Sequence, residues 1–227
     1  KKENLNYEDE IIGIVAPIYA GELPKTVRKF IEKANFQTKY FYLLLTYGNK
    51  DSVASVWSEQ FCLKNEIHVD YIQTIQMVDN YLPSFDMQEQ MSIDKKENLQ
   101  IQEALCDIQL RKKKIPQPTQ EGKELYERVR KRFQEHPELN NGETIMMSER
   151  CSGCGICTKV CPIGNIVLEK GKAKRLSQIC DFCLACVHNC PFHAIELRID
   201  KNPDVRYRHQ DITLKDIVNA NQQGGKR

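Results

Sequence analysis

Eight cysteines fall between Cys151 and Cys190, in two runs of one design. "CSGCGICTKVCP" begins at Cys151, and "CDFCLACVHNCP" repeats it from Cys180, 29 residues on. Each run reads Cys-x2-Cys-x2-Cys-x3-Cys-Pro. No other feature of the 227 residues restricts folding as tightly, because each loop must bring three thiols to a common centre.

Three sulfurs at this spacing wrap one side of an iron–sulfur cubane, and the fourth, before proline, crosses to the other cubane. The pattern predicts two [4Fe–4S] clusters. Cys151, Cys154, Cys157 and Cys190 are expected to hold one; Cys180, Cys183, Cys186 and Cys161 the other. Gly153 and Gly155 give the first loop the freedom to approach sulfur. Pro162 and Pro191 release the chain into "IVLEKG" and "AIELRI", and each half is expected to form a short hairpin. Zinc, the competing metal, normally takes two separated Cys-x2-Cys pairs around one ion, which the repeat fits poorly.

Disulfide staples suit small secreted domains. This chain has no apolar run of membrane length and no secretory signal at its start, so a reducing cytoplasm is expected. Cys62, beside Phe61, and Cys106, beside Leu105, sit in helical segments and read as small hydrophobes rather than ligands. His188 and His193 lie inside the repeats as surface or supporting residues. No His, Ser or carboxylate constellation points to a substrate reaction.

Upstream, strands alternate with helices. "IIGIVAPIY" (11–19) and "KYFYLLLTYGN" (39–49) are apolar runs of the kind buried on both faces, and 67–78 supplies a third extended run. "KTVRKFIEKA" puts Val27, Phe30, Ile31 and Ala34 on one helical face; a second helix is expected over 51–65. Strands separated by helices predict a parallel sheet. After Pro83 the chain turns polar, with helices expected over 94–113 and 121–134. The run "RKKK" (111–114) reads as a solvated helix end, and a net charge of +2 does not argue for nucleic acid.

The cysteine region resembles the bacterial two-[4Fe–4S] ferredoxin over 148–200. "APIYAGELP" and "LLLTYGN" resemble the two loops that flank the flavin ring in flavodoxin-like folds. With "MVDNYLP" and "YRHQDITLKDIV", nearly the whole chain resembles the flavodoxin–ferredoxin fusion family. The resemblance implies a flavodoxin-like α/β domain over 1–113, a helical linker over 114–147, a two-cluster α+β ferredoxin domain over 148–200, and a tail with a short helix over 201–227. It also implies FMN beside Tyr19, Ala20 and Gly21 on one loop and Thr46, Tyr47, Gly48 and Asn49 on the other. FMN would take electrons in pairs and the clusters would pass them singly to or from a partner redox protein. The alternative is a non-flavin domain that docks the ferredoxin part onto a larger oxidoreductase.

The flavodoxin pattern also has an initial strand and a Ser/Thr- and Gly-rich loop that cradles phosphate. Neither is visible here, so Ile11–Tyr19 is expected to be the third strand of that pattern, in a fragment of a longer protein. Residues 148–227 carry 13 Lys/Arg and 8 Asp/Glu, a formal +5. Two clusters at −2 each leave about +1. A segment without a strongly acidic face favours transfer within a complex over free diffusion.

Overall fold

The computed structural model describes residues 5–222. In chain order the elements are β1 (Asn6–Glu8), β2 (Ile11–Pro17), α1 (Lys25–Ile31), β3 (Asn35–Gln37), β4 (Tyr40–Tyr47), α2 (Ala54–Lys64), β5 (Tyr71–Gln76), α3 (Met87–Ser92), α4 (Glu97–Gln109), α5 (Gln120–Glu135), β6 (Ile145–Met147), α6 (Ile156–Val160), β7 (Ile166–Glu169), β8 (Lys172–Arg175), α7 (Ala185–His188), β9 (Ile195–Leu197) and α8 (Leu214–Gln222). They separate into two units. One comprises residues 5–79 and Asp94–Gln134; the other comprises Asn80–Ile93 and residues 135–222.

The first unit is built on a parallel sheet ordered β2-β4-β5. Its centre is β4, whose run "YFYLLLTY" is apolar on both faces because both are covered. Leu43 and Leu45 pack with Ile31 of α1 and Cys62 of α2. On the opposite face Leu44, Tyr71 and Ile75 meet Ala104 and Ile108 of α4. Gly13 lies in register with Tyr42, and a Cβ there would come within 2.0 Å of the Tyr42 ring. Only glycine leaves room for that ring.

The two sheet margins differ. Beside β5 the chain returns at Lys114, where Ile72 N–H donates to Lys114 O at 2.8 Å and Lys114 N–H donates to Asp70 O at 3.0 Å. Among the described residues no strand pairs with the outer margin of β2, and Val15 there is 65% exposed.

Charge concealed one strand from sequence reading. The polar Asn6–Glu8 pairs in parallel with Asn35–Gln37, extending the β2–β4 pair past a break. Tyr7 supplies the apolar contact, stacking on Phe36 at 5.4 Å. The extended run at 67–78 reduces to the single strand β5, because Asp70 turns its carboxylate to Phe41 N–H (3.1 Å) and Lys113 Nζ (3.1 Å).

The second unit holds a different core. Leu82 and Met87 from Asn80–Ile93 pack with Phe182, Val187, Ile195 and Leu197. That stretch was expected in the first domain, but its apolar residues are buried with the cysteine-bearing part. Its helix α3 escapes the 3.6-residue pattern because it is only six residues long. β7 and β8 form a hairpin through Lys170 and Gly171, whose φ values of 50° and 75° make the tight turn matching strand twist.

The second hairpin expected from "AIELRI" does not form. Among the described residues no positive-φ turn follows β9, and it pairs antiparallel with β6 instead, Met147 opposite Ile195. The tail helix α8 starts at a reciprocal cap: Asp216 Oδ2 accepts from Thr213 N–H at 2.9 Å, and Asp216 N–H donates to Thr213 Oγ1 at 3.2 Å. Residues 223–227 of the expected tail lie outside the described residues.

Candidate metal centre

The internal repeat folds into two backbone loops of matching shape. Gly155 precedes α6 at φ 75°, and Leu184 precedes α7 at φ 58°. Gly153 (φ 75°) and Phe182 (φ 52°) also occupy equivalent places. The first loop uses glycine where the backbone turns left-handed. The second uses large apolar residues, at about 1–2 kcal/mol of backbone strain each. Burial offsets that cost, since Leu184 and Phe182 are only 2% and 7% exposed.

Each loop sets three thiols around a common pocket. Cys151, Cys154 and Cys157 line one pocket, and the fourth thiol in its wall is Cys190 from the second repeat. Cys180, Cys183 and Cys186 line another, with Cys161 from the first repeat.

Backbone amides point at four of these sulfurs. Asn165 N–H donates to Cys161 Sγ and Ala194 N–H to Cys190 Sγ, both at 3.2 Å. Ala173 N–H donates to Cys151 Sγ and Phe182 N–H to Cys180 Sγ, both at 3.3 Å. Such donors favour a charged thiolate. Burial opposes it, pushing the Cys157 thiol up to about 11 and the Cys183 thiol up to about 12, and raising Cys186 and Cys180. Metal ligation must therefore drive these protons off.

The donor set suits a [4Fe–4S] cluster: four thiols around one pocket, with amide donors at sulfurs of both sets. Among the described residues no three His, Cys, Asp or Glu side chains are grouped to hold a single ion.

One supporting residue, Asn165, carries no motif and went unread in the sequence. Asn165 is buried, and its side chain donates to Ser177 O (3.0 Å) and Ile179 O (2.6 Å) while accepting from Ser177 N–H (2.9 Å) and Oγ–H (3.0 Å). It thereby ties Cys161 to the segment that enters Cys180. His188 is buried, not at the surface: Nδ1 accepts from Tyr207 N–H at 3.1 Å, leaving Nε2–H to donate to Asn80 O at 3.0 Å. That arrangement requires a neutral ring, and burial holds its pKa below the ordinary value. His193 is half-buried, with Nδ1 3.2 Å from Pro203 O.

The other two cysteines stand apart. Cys62 is fully buried in the first unit's core, and its thiol is pushed up to about 12. Cys106 is exposed on α4, so it is not the packed hydrophobe expected.

The residues expected beside a flavin meet at one sheet margin, because parallel strands place their ends together. Pro17 pairs with Thr46, and Ile18 N–H donates to Thr46 O at 2.8 Å. Tyr19, Ala20 and Gly21 make a tight turn closed by Tyr19 and Glu22. Tyr47, Gly48 and Asn49 leave β4, with Gly48 pressed against Asp79. Helix α5, expected as a linker, packs on this turn: Tyr126 lies against Gly21 and donates its hydroxyl to Glu22 Oε1 at 2.7 Å. Ser52 Oγ–H donates to Gly122 O at 2.7 Å.

No described helix is long and apolar enough to cross a membrane. The profile of a family described as a 4Fe-4S dicluster domain matches residues 150–195. No curated protein and no solved structure matches the chain. The matched stretch takes in both cysteine loops and gives this ferredoxin-like part of the chain an iron–sulfur, electron-transfer role.

Proposed function

We propose that the chain relays electrons singly through two [4Fe–4S] clusters to or from a partner oxidoreductase, in a reducing cytoplasm. One cluster is held by Cys151, Cys154, Cys157 and Cys190, the other by Cys180, Cys183, Cys186 and Cys161. The observation that carries this reading is the crossing of thiols, with Cys190 in the first pocket and Cys161 in the second. Each bound cluster supplies storage for one electron. The chain's part is to position the thiolates, limit water, and aim amides at sulfur where negative charge accumulates. Anaerobic reconstitution should yield about eight iron and eight acid-labile sulfides per chain. Zinc without sulfide would overturn the reading.

For the α/β unit, FMN bound by a longer chain is favoured by two features: both candidate loops lie at the C-terminal ends of β2 and β4, and among the described residues no strand pairs with the outer edge of β2. The order β2-β4-β5 is compatible with strands three to five of the flavodoxin-like order 2-1-3-4-5. An added strand along β2 and a phosphate loop would complete that site. The reading as a non-flavin docking domain is favoured by Tyr126, which covers the turn at Gly21. Titrating FMN into this chain and into an N-terminally extended one separates the two. Tight binding by the extended chain alone supports FMN; no binding by either supports docking. Tight binding by this chain would mean that Tyr126 gives way and the phosphate loop is dispensable.

A further inference from the structure

The two pockets differ in charge. The pocket of Cys151, Cys154, Cys157 and Cys190 has no ionisable side chain in its wall other than cysteine. The wall of the other includes Arg175 and Asp181.

Arg175, at the end of β8, is held on two sides. Nη1–H donates to Gly142 O, and Nη2–H donates to Ser177 O at 3.3 Å. Nε is buried with no hydrogen-bond partner in the protein. Gly142 marks how close the guanidinium comes to the ligands: a Cβ built there would lie 2.9 Å from Cys180 Sγ and 3.1 Å from Arg175 Nη2. Among the described residues Arg175 makes no ion pair. Its charge is therefore not cancelled by a carboxylate at hydrogen-bond distance, in the wall it shares with Cys161, Cys180, Cys183 and Cys186.

We propose that Arg175 raises the reduction potential of the cluster held by Cys161, Cys180, Cys183 and Cys186 above that of its neighbour. The inference rests on the ligand assignment proposed above. A one-electron reductant takes the oxidised cluster with its four thiolates from −2 to −3, with no bond made or broken. A positive charge fixed in the pocket wall favours the more negative form. The neighbouring cluster lacks this assistance, so the electron of a half-reduced chain resides in the pocket of Arg175. Asp181 acts in the opposite sense on the same pocket.

The test is an EPR-monitored potentiometric titration of the reconstituted full chain, with iron and sulfide counted in each sample. Arg175→Gln should lower the reduction equilibrium constant of one cluster about tenfold, ~59 mV for one electron, leaving the other unchanged. Arg175→Lys keeps the charge but removes Nε–H, and should lower the same constant by less. Asp181→Asn should raise it. Lys174→Gln removes an exposed charge paired with Glu169 at 2.7 Å and should move neither potential. Unchanged potentials in both Arg175 variants at full iron content, or equal movement of both clusters, would overturn the proposal. If Arg175→Gln fails to load, Arg175→Lys decides alone: no shift overturns it. A wild-type chain that holds fewer than two clusters would instead refute the underlying assignment.

Discussion

Cys161 and Cys190 accept the same hydrogen bond at the same length: each sulfur takes the backbone N–H four residues on, at 3.2 Å. Each also lines the pocket of the other repeat. The exchange places one thiol of each repeat among the three of the other.

The first prediction follows from this exchange. Cys161→Ser should remove the cluster of the 180–186 loop and leave that of the 151–157 loop, halving iron to about four per chain. Cys190→Ser should do the converse. EPR spectra of the two variants, each reduced, should sum to that of the parent. If Cys161→Ser removes the cluster of its own loop, the crossing is wrong.

Asn165→Ala should damage one cluster preferentially. It removes four side-chain hydrogen bonds to Ser177 and Ile179. At about 1 kcal/mol each, the loss is on the order of 3–4 kcal/mol. Denaturant unfolding should show that loss, with iron leaving the Cys180 pocket first. A stable variant with both clusters equally retained would contradict the role given to Asn165.

Cys62 and Cys106 should separate by labelling. Cys106 is exposed, whereas Cys62 is fully buried with its thiol raised to about 12. Alkylation of native protein at pH 8 should modify Cys106 and spare Cys62 until unfolding. Replacing both with alanine should leave iron content unchanged, at a stability cost of about 1 kcal/mol from Cys62. Iron loss would make one of them a ligand.

Tyr126 gives the first unit an alkaline limit. Burial first, and then its bond to Glu22, raises its pKa to about 12. A phenol whose pKa is raised on folding stabilises fully below its unfolded value near 10 and loses that contribution as pH rises through about 12. Below pH 10, Tyr126→Phe should be less stable by about 1 kcal/mol. Above pH 12 the difference should vanish or reverse, because the variant has no phenolate beside Glu22. Equal pH profiles for the two proteins would show that the hydroxyl does not hold α5.

The iron–sulfur chemistry was legible in the spacing of the cysteines. Ligand spacing is local: Cys-x2-Cys-x2-Cys must turn back on itself to converge, and Cys-Pro must leave, whatever surrounds it. The parallel strands were legible for a related reason, since β4 is apolar throughout and β-branched residues dominate β2. Tertiary structure alone decided what those signals could not carry. β1 forms because Tyr7 finds Phe36, a contact across 29 residues that no local pattern records. Asn80–Ile93 joins the cysteine unit because Leu82 and Met87 are buried there, although its neighbours on both sides fold in the other unit. β9 pairs with β6 because no turn returns it to itself. Leu184 and Phe182 adopt glycine-like backbone because burial of their side chains outweighs the strain. Arg175 and Asn165 look like ordinary surface residues in the chain. Folding brings one beside Cys180 and the other to Cys161, through bonds from Arg175 to Gly142 and from Asn165 to Ser177 and Ile179 that no local pattern records.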